Sequence, residues 1–204
     1  MRLADLRSYF LVVALLLFVS RSLAQVNTPN TAPLKWYYPN QVVLQTGGNI
    51  GLLTIGFGYR LGKGKIMVDV LYGFSPKFKS RSANHLLTGK FTYSPFAIKL
   101  SPKYTAEPLR IGTGLSYHFG KAYYTIWPDR YPKGYYWWST SLRLTPFIGS
   151  AISTRIGSED KFIKRLTLYG ELGTHDLSIL SWAVNKNISL WDITSIAVGV
   201  RLSL

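Results

Sequence analysis

The chemistry this sequence offers is carried by nine ionisable residues: Arg60, Asp69, Lys90, Arg110, His118, Arg143, Arg165, Glu171 and Arg201. Each alternates with bulky apolar neighbours and shares its parity with Gly, Ser or Thr. Six are fixed cations and only Asp69 and Glu171 are carboxylates. Gathered inside one fold they must find partners, because an unpaired buried charge is very costly. The expectation is a hydrated network in which the two acids bridge several arginines. The sharper possibility is a site near one rim for a small anion or a lipid phosphate.

A second constellation is Glu171, His175 and Ser178: an acid, a base and a hydroxyl within eight residues. Such a set suggests a hydrolase, but geometry makes a triad, not proximity in sequence. Four residues of strand would put Glu171 and His175 roughly 13 Å apart. A strand end running into a loop explains the same residues. With no cysteine and three dispersed histidines, neither thiol chemistry nor a metal site is expected, and no cofactor.

The segment 120–135 carries Tyr123, Tyr124, Trp127, Tyr131 and Tyr135, with Trp138 just beyond. Aromatics among Lys and Arg are typical of binding hot spots, and equally of the aromatic girdle that flanks membrane strands. Tyr135 runs straight into a strand pattern, which favours the girdle. Lys77, Lys79 and Arg81 form a basic loop able to meet lipopolysaccharide phosphates, or simply to be solvated.

The elements that must position these residues are strands. Ile50–Ser75 reads with a period of two. Leu53, Ile55, Phe57, Tyr59 and Leu61 oppose Thr54, Gly56, Gly58 and Arg60. After Gly62-Lys63-Gly64, Ile66, Val68, Val70, Tyr72 and Phe74 oppose Met67, Asp69, Leu71 and Gly73. The greasy face is large and the other small or singly charged, which inverts the pattern of a soluble barrel and matches a transmembrane one. Similar alternation covers 85–95, 109–119, 136–148, 162–174 and 194–204, with 41–47 weaker. The segments 96–108 and 149–161 read as connections. The expected fold is all-β: an antiparallel up-and-down transmembrane barrel of about eight strands. A rival count fuses 41–61 into one strand and recruits Leu177–Val184 as another, which reverses the loops.

Residues 1–24 read as a cleaved signal peptide: Arg2 and Arg7, an apolar run from Phe10 to Val19, then Ser22-Leu23-Ala24. Its removal takes three arginines and one aspartate and lowers the net charge from +15 to +13. Residues 25–40 read as a flexible lead-in and 41–204 as the barrel domain. A basic chain invites a nucleic-acid partner, but one charge per strand makes no stripe, and none is expected.

Trp127-Pro128-Asp129-Arg130-Tyr131-Pro132-Lys133-Gly134-Tyr135-Tyr136, with Trp138-Ser139-Thr140, resembles a block in small uncharacterised outer-membrane β-barrel proteins of Gram-negative bacteria. Gly47-Gly48-Asn49-Ile50-Gly51 and Tyr72-Gly73-Phe74-Ser75-Pro76-Lys77 are similar to other parts of that group. The resemblance implies an eight-stranded barrel in the outer membrane and no particular activity. Such barrels usually end in an aromatic residue recognised during assembly, whereas this chain ends in Leu204. Small outer-membrane lipid A deacylases use His, Ser and Glu, but their His-x-Ser-Asn pattern is absent here. His175-Asp176 is similar to the catalytic pair of outer-membrane proteases, whose barrels are much larger. The functional expectation is a monomeric structural or binding barrel without an open pore. Its expected partners are membrane lipid, with lipopolysaccharide among the candidates, and the barrel assembly machinery. The alternatives are a lipid-modifying hydrolase and, more distantly, a secreted soluble ligand-binding barrel.

Overall fold

Period-two alternation builds nine strands in the computed structural model, which describes residues 38–77, 83–120, 123, 139–157, 163–185 and 187–204. The expected signal peptide and most of the lead-in lie outside the described residues. The strands are β1 (Gln41–Gly47), β2 (Leu53–Leu61), β3 (Ile66–Ser75), β4 (Asn84–Tyr93), β5 (Ile98–Lys99), β6 (Tyr104–Phe119), β7 (Leu142–Arg155), β8 (Arg165–Gly173) and β9 (Ser195–Ser203). One helix, α1 (Asp176–Val184), lies between β8 and β9. Every pairing is antiparallel. Because β4 pairs with β6 and β1 with β9, eight strands close into an up-and-down barrel, and short β5 adds to the start of β6.

Closure sorts the side chains as their parity dictates. On β2, Ile55 and Phe57 are 51% and 58% exposed while Thr54 between them and Leu53 is 2% exposed. The same contrast recurs around the wall: Val70 against Asp69, Leu115 against Ser116, Leu168 against Tyr169. Large apolar side chains cover the outside, and the enclosed volume holds most of the buried charge.

The inward face is small for a reason that appears in the register. Asp69 lies opposite Gly58, Lys90 opposite Gly114, and Tyr169 opposite Gly199. A Cβ on Gly58 would come within 1.9 Å of the Asp69 carboxylate, and one on Gly199 within 2.3 Å of the Tyr169 ring. Asp69 and Tyr169 thus lean over a glycine on the next strand, which gives these long side chains room in so narrow a barrel.

The turn Gly62-Lys63-Gly64 joins β2 to β3 with all three residues at positive φ. It lies at the end that carries the chain's strand termini, where the Leu204 N–H donates to the Asn40 carbonyl over 2.9 Å. The connections 76–83, 120–141 and 174–194 fall at the opposite end, so the long loops share one side, as the eight-strand reading expects.

Several boundaries differ from the sequence reading, among them the start of β7, which lies at Leu142 where alternation places it at 136. Part of 96–108 is strand, since β5 forms there and β6 starts at Tyr104. β7 continues to Arg155 through the stretch read as a polar connection. Exposed Ser150 and half-buried Thr154 there interrupt the greasy face, so alternation alone did not mark it. Leu177–Val184, the rival count's extra strand, belongs to α1.

Candidate functional site

The deepest pair joins β3 to β9. Asp69 and Arg201 are both fully buried, and their fork is bidentate: Arg201 Nη1 donates to Oδ1 over 3.0 Å and Nη2 to Oδ2 over 2.7 Å. Arg201 Nη1 also donates to the Gln41 side-chain carbonyl over 2.5 Å. Two parallel charge-assisted bonds fix orientation as well as charge.

A second cluster spans β1, β4 and β8. Lys90 Nζ donates to Glu171 Oε2 over 2.5 Å and to Gln45 Oε1 over 2.9 Å. The Tyr169 hydroxyl donates to the same Gln45 oxygen over 3.0 Å. The ammonium lies 4.6 Å from the Phe147 ring centre, and the Arg110 guanidinium 4.9 Å from that of Tyr169, distances at which ring quadrupoles attract cations. Arg110 Nη2 faces Glu171 Oε1 at 3.8 Å, beyond hydrogen-bond reach. Beside this cluster, a cavity of ≈ 30 Å³ lined by Lys90, Glu171, Gln45 and Thr145 is large enough for a water molecule.

The third cluster depends on a residue that alternation puts on the wrong face. Counted back from Arg110, Glu107 belongs with Leu109 and Ile111, on the outside. The β6–β7 register shifts between Glu107 and Arg110, so Pro108 and Leu109 bulge and both charged residues turn inward. Glu107, 1% exposed, accepts from Arg60 Nη2 over 2.6 Å and from Arg110 Nη1 over 3.4 Å. Arg60 also donates through Nε to the Gly64 carbonyl over 3.1 Å, tying the turn to the cluster. The interior therefore has a third carboxylate, where the sequence reading counted two. Pro108 was its one trace, since a proline inside a strand is confined to edges and bulges, but nothing in the sequence marked 104–108 as strand.

The remaining residues sit nearer the ends. Arg165, at the start of β8, makes no ion pair among the described residues. At the long-loop end, Arg143 Nη1 lies 3.9 Å from Asp176 Oδ2 and donates to the carbonyls of Ser139 and Leu142. His118 Nδ1 meets the Asn84 amide at 3.1 Å, and its ring lies 5.1 Å from that of Tyr123. Thus Asp69, Lys90, Arg110, Glu171 and Arg201 gather in the middle with Arg60 below them, while His118 and Arg143 line the loop-end rim. Of the aromatic loop, Tyr124, Trp127, Tyr131, Tyr135 and Trp138 lie outside the described residues, as do Lys79 and Arg81.

The structure separates the suspected triad. Glu171 is held by Lys90 in the interior, whereas His175 caps α1. The Ser178 backbone N–H donates to His175 Nδ1 over 3.2 Å, and Ser178 Oγ lies 3.0 Å from Nε2. Accepting at Nδ1 leaves the ring proton on Nε2, which therefore donates to the serine oxygen. A general base needs the reverse, with Nε2 free to take the hydroxyl proton. Burial, with the Arg143 charge adding to it, holds the His175 pKa below the ordinary 6.5, while Asp176 opposes. That favours the neutral capping ring.

No helix among the described residues is long and apolar enough to cross a membrane. No protein-family model, curated protein or solved structure matches the chain.

Proposed function

We propose that this protein is an outer-membrane β-barrel with a structural or binding role, whose lumen is closed by its own charged side chains. The observation that carries the reading is the inverted wall: exposed Ile55, Phe57, Val70, Leu115 and Leu168 outside, buried Asp69, Lys90, Arg110 and Arg201 inside. A closed barrel satisfies every backbone group without water, which is what hydrocarbon demands. The closed lumen is supported by the eight-strand count, a width that side chains can fill, and by the burial of Met67, Tyr169, Arg110 and Arg201. The expected export segment leads to the same compartment. The likeness to small Gram-negative barrels, a monomeric state, assembly by the barrel machinery and contact with lipopolysaccharide belong to this proposal.

Membrane fractionation with a heat-modifiability gel tests it. The protein should require detergent and migrate faster unboiled than boiled. A soluble periplasmic protein would overturn the reading, and stepwise conductance in a planar bilayer would overturn the closed lumen. A lipid-modifying hydrolase is the second reading; Ser178 Oγ lies 3.0 Å from His175 Nε2, and the serine would act only with the ring in the opposite tautomer to the one that caps α1. It requires that Ser178→Ala change the lipid A mass profile of expressing cells. An unchanged profile rejects it.

A further inference from the structure

Nothing in the charged interior explains the loop 174–194, whose composition is that of a core while its position is outside. From Leu177 to Trp191 the segment reads LSILSWAVNKNISLW, with Lys186 its single charge. Helix α1 has no buried residue. Leu180 and Trp182 are over 40% exposed, Val184 86% and Trp191 79%. On a helical projection, Ser178 and Ser181 form one narrow polar strip, Asp176 in the first turn stands apart from it, and apolar residues occupy the rest. A helix that packs on protein shows one apolar stripe, and one apolar nearly all round needs a medium that surrounds it.

We infer that α1 and the Leu190–Trp191 turn are a lipid-docking element, seated among the acyl chains and headgroups beside the wall. The inference rests on the membrane reading above. Three further observations select lipid as the occupant. The loop leaves the barrel after Leu172 and returns at Ile196; these two are register partners facing outward, so the loop springs at both ends from the apolar wall. Both ends are fixed. At the start, His175 caps the helix and Asp176 lies 3.9 Å from Arg143; at the finish, Asp192 Oδ2 accepts from the Ser189 N–H and Thr194 Oγ1 donates to the Leu190 carbonyl. The two tryptophans complete the pattern, since indole concentrates at the membrane–water boundary.

The test uses the full chain refolded into phosphatidylcholine vesicles brominated near the headgroup or deep in the acyl chain. One variant keeps Trp191 as its only tryptophan, the other five replaced by phenylalanine. A second has no native tryptophan and carries Leu172→Trp as a reporter of the wall. Both should be quenched, Trp191 by about two-fold or more and best by the shallow bromines, as an interfacial indole requires. If only the wall reporter is quenched, the inference is overturned while the membrane reading stands. Iodide quenching of Trp191 would then mean a solvated loop; protection from iodide would mean cover by residues 124–138 or another protein. If neither is quenched, the membrane reading fails and the inference with it. Should the multiple replacements prevent refolding, the intact chain is compared with Trp191→Tyr. The fluorescence lost in that variant must be quenchable by shallow bromines, or the inference is rejected.

Discussion

Glu107 holds two arginines at once, so its charge is the most exposed to test. Glu107→Gln keeps the shape but leaves Arg60 without its anion and Arg110 with only the more distant Glu171; the expected loss is about 3–5 kcal/mol, less where water reaches the lumen. Denaturant titration of the refolded variant measures it, and parental stability would mean that the lumen solvates these cations. His175 supplies a pH dependence. Its pKa in the fold lies below 6.5, so the native state favours the neutral ring and the stabilisation is complete above that pH. As pH falls below 6.5, the unfolded loop binds the proton first and the cap is lost; Arg143 lies close enough to disfavour the charge further, and Asp176 to offset part of it. Protection factors of the α1 amides, which remove the intrinsic pH dependence of exchange, should therefore fall from pH 7.5 to pH 5 and stay flat in His175→Asn, which caps without titrating there. At this scale Asp69, Lys90, Arg110, Glu171 and Arg201 were legible in the sequence, because parity alone places a strand side chain, whereas parity could not say that His118, Arg143 and Arg165 sit near the strand ends. The sequence hid Glu107, because a bulge changes parity without altering composition.

At the scale of the strand, the wall and the bulge make opposite demands. Leu115 is 45% exposed on the outside of β6 and Ser116 fully buried inside. Leu115→Arg should impair folding into lipid by about 2–4 kcal/mol if the site is near the midplane, whereas Ser116→Arg should act by crowding the lumen. Refolding yields into vesicles compare them, and tolerance of arginine at Leu115 would mean that its face does not meet lipid. Deleting Pro108 removes the extra residue and should turn Glu107 toward lipid, giving up its two arginine contacts at a cost of about 3 kcal/mol or more. The heat-modifiable form would then be scarce. Adding Glu107→Leu to the deletion should recover part of it, a rescue that general loss of fold would not permit. The strands were legible where their outward residues are uniformly greasy, as in β2 and β3. They were misjudged where Ser150 breaks the wall or proline breaks the ladder. The helix was missed because a short apolar run is compatible with strand and helix alike.

For the whole molecule, the order of events in folding follows from the pair on β9. The strand that closes the barrel is the last in sequence and pairs with the first: the Gln41 amide reaches Ser203 across 162 residues. Bringing such distant ends together costs roughly 4–5 kcal/mol in chain entropy by the logarithmic law, before any contact repays it. Until then β1 presents an unpaired edge, the surface at which β-proteins join neighbours instead of themselves. Arg201 arrives with that last strand and meets Asp69 on β3 and Gln41 on β1, so it acts as a latch set only at closure. A contact made after the rate-limiting step slows opening without speeding assembly. Asp69→Asn should accordingly raise the opening rate by about a hundredfold for a 3 kcal/mol loss, leaving the refolding rate nearly unchanged. Time-resolved gel mobility in both directions would read it, and a slowed refolding instead would place the pair in the nucleus. If the latch sets last, the lifetime of the closed barrel is controlled by a buried ion pair, and the speed of its making by the rest of the wall.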